Sequence, residues 1–184
     1  MAVTLQKRQG ISLSKGFSKL RFTVNWEYKD ADVDIEAIVV DDGLALIDED
    51  LVFYGNLRHP SKSVRHLGDI RNGGGSDGGT ETISIDLTKL PNDRNEIILT
   101  ASIDGAESNG NNFGNIGKVR CELIDDTNSK LLATYDVDVD LDMEVAGVLC
   151  RIYRKEDNQF GYETVGQAYP SLESMVTHYG IVVA

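Results

Sequence analysis

The sequence predicts an all-β protein, a two-sheet β-sandwich with a short C-terminal helix. Two observations lead there. Apolar and polar residues alternate over many short segments, the period-two pattern of a strand with one buried face. Turn signals separate those segments: Asp42-Gly43, Asp104-Gly105, Asn109-Gly110 and the glycine-rich stretch over residues 73–79. Many short strands with frequent turns form the pattern of a sandwich.

The elements follow in chain order. Leu20, Phe22, Val24, Trp26 and Tyr28 alternate with Arg21, Thr23, Asn25 and Glu27, a strand with one apolar face. Ile83, Ile85 and Leu87 alternate with Ser84 and Asp86, and Val119, Cys121 and Leu123 with Arg120 and Glu122. Continuous apolar runs over residues 37–40, 97–103 and 145–153 predict more deeply buried strands. Val137, Val139 and Leu141 alternate with Asp136, Asp138, Asp140 and Asp142, which reads as a strand whose acids keep an exposed edge soluble. The helix begins after Pro170. Ser171 suits the N-cap and Glu173 the first turn; Leu172, Met175, Val176 and Tyr179 share one face, and Gly180 can end it. No linker or repeat divides the chain, so residues 1–184 read as one domain.

Composition narrows the partners. Thirty acidic residues stand against 18 basic ones, for a net charge of -12. A field of that sign repels phosphate backbones and anionic lipid heads. Nucleic acid and bare membrane are therefore poor partners, whereas cations and basic proteins suit. The N-terminal stretch lacks an apolar run of signal-peptide length, and no segment approaches the ~20 apolar residues of a membrane span. Cys121 and Cys150 sit in apolar segments and read as buried thiols of a reducing, cytoplasmic compartment. A disulfide between them is the alternative.

Three segments concentrate oxygen ligands. Asp32, Asp34 and Glu36 fall on one side of an extended chain. The loop from Gly68 to Glu81 carries Asp69, Asp77 and Glu81 among glycines, and Asp104-Gly105-Ala106-Glu107 ends an apolar strand. Calcium takes 6–8 oxygens in loose geometry, from carboxylates and backbone carbonyls alike. Glycines let a loop turn its carbonyls inward. Asp69, Asp77 and Glu81 could thus supply charge, with carbonyls around Ile70 and Gly74 completing a site. Magnesium, with its strict octahedron, suits this pattern less; zinc lacks a Cys/His cluster. The pattern is not an EF-hand, and a solvated turn between strands is the plainer account of the same residues.

These segments resemble the TerD family, the tellurite-resistance and general-stress group. The resemblance is carried, nearly end to end, by Gly10-Ile11-Ser12-Leu13-Ser14-Lys15-Gly16, Val24-Asn25-Trp26, Asp32-Val33-Asp34 and Asp48-Glu49-Asp50-Leu51-Val52-Phe53-Tyr54-Gly55-Asn56-Leu57. Pro60, Ser63-Val64, His66, Gly68-Asp69, Asn112-Phe113-Gly114 and Val165-Gly166-Gln167-Ala168-Tyr169 follow at the family's spacing. The resemblance implies a β-sandwich with Ca²⁺ (calcium) held by loops at one end. It points to Asp32, Asp34, Asn56, Asp69, Asp77, Glu81 and Asp104 as side-chain ligands, with a carbonyl ligand at Ile70. Three departures stand out. The His-Asp pair usual near the third segment is Ile103-Asp104 here, so only the Asp is retained. Ile70 replaces an Asn, and Gly78-Gly79-Thr80 stand where the family commonly has acids, which implies a weaker site or one site lost.

Residues 73–78 match G-x-G-x-x-G, but dinucleotide binding requires a helix after that motif, and the neighbouring carboxylates would repel a pyrophosphate. His59, His66 and His178 accompany no nucleophile motif, although His66 is placed to orient the loop that follows it. The expectation is a calcium-binding stress-response module that is not an enzyme and acts through protein partners of unknown identity. The alternative is a metal-independent assembly or interaction protein that keeps the same fold with a degraded calcium site.

Overall fold

The computed structural model describes residues 1–28, 30–68 and 78–183. Among these, twelve strands form two six-stranded sheets. The first sheet contains β1 (Val3–Leu5), β3 (Lys19–Trp26), β6 (Val64–His66), β7 (Gly79–Asp86), β9 (Val119–Asp125) and β10 (Lys130–Asp136), in the order β1-β10-β9-β3-β7-β6. The second contains β2 (Gly10–Leu13), β4 (Asp32–Val40), β5 (Leu51–Val52), β8 (Glu96–Asp104), β11 (Ala146–Arg154) and β12 (Phe160–Tyr169), in the order β2-β12-β11-β8-β4-β5. β1 runs parallel to β10; the other pairings are antiparallel.

The alternating residues meet between the sheets. Leu20, Phe22 and Val24 of β3 and Ile83 and Ile85 of β7 pack with Val33, Ile35, Ala37 and Val39 of β4 in one buried cluster. Each such Val, Leu, Ile or Phe contributes about 1.5–3 kcal/mol when fully buried. Cys121 and Cys150 lie in this core as unbridged thiols. β3 stops at Trp26, and Tyr28 lies beyond it, exposed. The chain turns here, and Trp26 Nε1 donates to the carbonyl oxygen of Ala31 at 3.0 Å.

A second apolar layer covers the other face of the β4 sheet. α3 (Leu172–His178) starts where Ser171 Oγ accepts the Ser174 N–H at 3.0 Å. Its Met175 and Val176 pack on Ile38, Val40, Ile98 and Val148. The continuous run over 145–153 therefore has two causes. Ala146 and Val148 face this helix layer, whereas Leu149, Cys150 and Ile152 face the core. The register of β11 shifts between Val148 and Cys150. That bulge is what turns two consecutive residues, Leu149 and Cys150, to the same side.

The expected strand over residues 137–141 is instead a short helix, α2 (Asp138–Leu141). Val137 and Leu141 are buried, but Val139 is 80% exposed. A strand would bury all three on one face; a helix keeps positions four apart together and turns the middle one out. Period two and period four coincide at residues 137 and 141, so Val139 alone distinguishes them.

A buried ion pair ties the segment before β5 to the segment before β8. Asp50 is fully buried and accepts from Arg94 Nε at 3.0 Å and Nη2 at 3.1 Å. It also accepts the backbone N–H of Leu46 at 2.7 Å and of Ile47 at 3.0 Å, and approaches His59 Nε2 at 2.9 Å. Burial alone would raise the Asp50 carboxyl; the Arg94, His59, Ile47 and Leu46 contacts outweigh it and hold it below its ordinary value. A carboxylate with a depressed folded pKa adds stability above its unfolded pKa of ~3.9, and that stability is lost as pH falls through the folded value. Arg94→Ala strands the buried charge, so it should cost about 3–5 kcal/mol and move acid unfolding to higher pH. Urea titrations across pH 2–7 check both; an unmoved acid midpoint would refute the assigned role.

Candidate metal centre

The β4–β8 register assembles the acids. Asp32 lies opposite Asp104, Asp34 opposite Ser102, and Glu36 opposite Thr100. Because Val33, Ile35 and Ala37 fill the core, Asp32, Asp34 and Glu36 must take the other face of the sheet. Directly opposed residues have Cβ atoms roughly 4.5–5.5 Å apart, so the side chains of Asp32 and Asp104 are neighbours of like charge. Asp32 and Asp34 are half-buried and Asp104 is exposed.

Glu36 is the deep end of this column. It is buried, with Oε2 accepting from Thr100 Oγ1 at 2.5 Å and Oε1 from Ser102 Oγ at 2.6 Å. Burial pushes its carboxyl up to about 7, partly offset by the two hydroxyls and reinforced by the nearby charge of Glu81. Alternation with Asp32 and Asp34 was the sequence signal for its placement. Its deep burial depends on tertiary cover that no local pattern reports.

Glu81 comes from the opposite sheet. It is 1% exposed, and its Oε2 accepts the Ile35 N–H at 2.9 Å. β5 pairs with β4 at Ala37 and Ile38, short of Ile35, so Glu81 supplies the acceptor that a neighbouring strand would have offered. His66 Nε2 stands 3.3 Å from the same oxygen. His66 Nδ1 accepts the Gly68 N–H at 3.0 Å, which places the proton of a neutral ring on Nε2, facing Glu81. The Nε2 contact lacks hydrogen-bond alignment and acts as an electrostatic approach.

Asn56 stands apart, in the turn after β5. Its Nδ2 donates to the Leu51 carbonyl at 2.8 Å, which leaves Oδ1 as the atom suited to a cation. Asp69, Ile70, Gly74 and Asp77 lie outside the described residues. The structure thus brings Asp32, Asp34 and Asp104 onto one sheet face and sets Glu81 at the adjoining edge of β4. Among the described residues, no group of three or more His, Cys, Asp or Glu side chains is placed to hold a metal ion. The acids of the column are hard oxygen donors, and both thiols lie in the core, so this partial set fits a hard cation and not a soft one.

Gly78 and Gly79 have a reason of their own for lacking side chains. A Cβ on Gly78 would stand 1.8 Å from the Trp26 carbonyl oxygen, at φ +89, and one on Gly79 would stand 2.2 Å from the Trp26 ring. Packing against Trp26 thus leaves no room for a side chain at these two positions. Gly78→Asp should lower stability by at least about 2 kcal/mol through clash and left-handed strain. A thermal melt checks this; a gain in stability would return the loop to the reading of lost ligands.

The fold and the acidic column define a β-sandwich with a carboxylate-lined sheet face. The chain belongs to the TerD family, whose TerD domain model matches residues 1–179. It is 33% identical to the uncharacterized protein YceE of Bacillus subtilis over the whole of both chains. It is 31% identical to the tellurium resistance protein TerD of Serratia marcescens, over 98% of each. The crystal structure of a telluride resistance protein homologue from Streptomyces coelicolor superposes with a TM-score of 0.72 at 14% identity, covering 91% of this chain and 99% of that one. That likeness confirms the sandwich. Family members carry names for tellurium resistance, for resistance to chemical-damaging agents and for general stress. Among the described residues, no helix is long and apolar enough to cross a membrane.

Proposed function

We propose that this protein is a calcium-binding module of the stress and tellurium-resistance response, acting through binding and protein contact and not through turnover. The observation that carries the reading is the placement of Asp32, Asp34 and Asp104 on one sheet face, with Asp32 and Asp104 directly opposed. Opposed like charges destabilise an antiparallel pair by roughly 0.2–1 kcal/mol. A bound divalent cation would supply the neutralising charge. Asp32, Asp34 and Asp104 would contribute to its site from the sheet, which the loop would have to complete. Glu81 keeps the β4 edge in register through the Ile35 N–H while facing the same end. Asp69, Asp77 and the carbonyls of Ile70 and Gly74 are the proposed loop contribution. The two buried, unbridged thiols favour a reducing, cytoplasmic setting.

A second reading has its own support. Glu81 is already engaged by Ile35 and His66, and Gly78 and Gly79 are explained by packing. A metal-independent assembly protein with the same fold would keep all four features.

A thermal melt in calcium against chelator separates the two. At free calcium 100 times Kd the module should gain about 2.7 kcal/mol. Asp104→Asn should remove the gain, yet melt no lower than the natural chain in chelator, because it relieves the opposed charges. No shift at millimolar calcium, together with a stable oligomer in chelator by native mass measurement, would favour assembly instead.

A further inference from the structure

The other sheet carries an opposite charge pattern. A hollow of about 290 Å³ on its outer face is lined by Lys19, Arg58, Lys62, Arg65 and Lys89, five of the chain's 18 basic residues. Asp86 and Asp126 are the two acids there, from a total of 30. This concentration runs against the net charge of -12.

The register explains how the cations meet. Arg58 bridges Arg65, Arg65 pairs with Ser84, and Ser84 pairs with Arg21. The flanking Val64, Ile83, Ile85, Leu20 and Phe22 fill the core, so the arginine row takes the outward face. Adjacent strands lie about 4.8 Å apart, which makes Arg58 and Arg65 close neighbours. Like charges directly opposed are unfavourable.

The two acids are already committed. Asp126 pairs with Arg21 at 2.6 Å. Asp86 accepts from Thr88 and meets Lys89 at 3.5 Å. Among the described residues, Arg58, Lys62 and Arg65 form no ion pair, and all three are exposed. Ser63 and Ser84 add hydroxyls to the wall. Lys62 sits at φ +64, with its N–H on the His59 carbonyl at 2.8 Å, so the turn that presents it is backbone-defined.

We propose that this hollow binds a compact phosphate-bearing anion, with Arg58 and Arg65 as the main contacts. Guanidinium groups match phosphate oxygens in bidentate geometry. A bound anion would also turn the opposed arginine pair from repulsive to bridged. The hollow sits at the lower limit of small-ligand pockets, which suits a compact group. An extended polyanion would meet the acidic remainder of the chain and be repelled.

The test is calorimetric titration of sodium pyrophosphate into the full chain in metal-free buffer, with sodium chloride at matched ionic strength as the reference. Saturable one-to-one binding is expected. Arg58→Ala with Arg65→Ala should weaken it at least tenfold, and Lys130→Ala, an exposed cation outside the hollow, should not. The unliganded double variant should melt no lower than the natural chain. The single variant Arg65→Glu provides an independent reversal of charge. A parallel arm sediments phosphatidylcholine vesicles with and without phosphatidylglycerol. Binding to anionic vesicles alone, lost in the same variants, would assign the phosphate to a lipid headgroup. The proposal is overturned if neither probe binds, if chloride alone reproduces the heat, or if the variants bind unchanged.

Discussion

The pairing of β4 with β8 is the constraint on which the rest of this structure depends. Every second residue of β4 is an apolar side chain at zero exposure, and the intervening positions carry Asp32, Asp34 and Glu36. A slip of one residue would exchange the two sets and drive three carboxylates into the core. Burying an unpaired charge costs far more than any surface contact returns. The hydrophobic core and the acidic column are therefore one decision, made by a single register. Glu81 reinforces it from the opposite sheet by satisfying the Ile35 N–H at the open edge of β4.

Charge in this protein is sorted by place. Asp50 and Arg94 use a buried pair to join the segment before β5 to the segment before β8. The acids of β4 and β8 share one face of one sheet, and the arginine row of β3, β6 and the segment preceding β6 lies on the outer face of the other. The net charge averages over these regions and describes none of them. A strongly acidic total excludes extended polyanions as partners. It leaves room for a local cationic hollow, because exposed charges are largely screened beyond ~8 Å at physiological salt.

The expected strand over residues 137–141 shows where pattern reading stops. Val137 and Leu141 satisfy both periods, and the acids between them suit either element. Gly147 decides the outcome: a Cβ there would meet Leu141 Cδ2 at 2.4 Å, so Leu141 packs over a glycine on β11. The run over 145–153 posed the converse problem. It is apolar throughout because one strand serves two layers, with a bulge between them. Gly78 and Gly79 were legible as a turn, but their contact with Trp26 is a long-range packing fact.

The chain by itself determined the sandwich, the helix start at Ser171, the alternation that separates the acids of β4 from its core residues, and the family. These rest on local periodicity, capping chemistry and motifs that are each read from a few neighbouring residues. Only the tertiary structure decided that Asp104 faces Asp32, that Glu81 spans to β4, that Arg94 neutralises Asp50, and that Arg58 joins Arg65. The physical reason is common to all four. Strand pairing and sheet packing set which distant residues oppose each other, and that choice is made by the whole core at once.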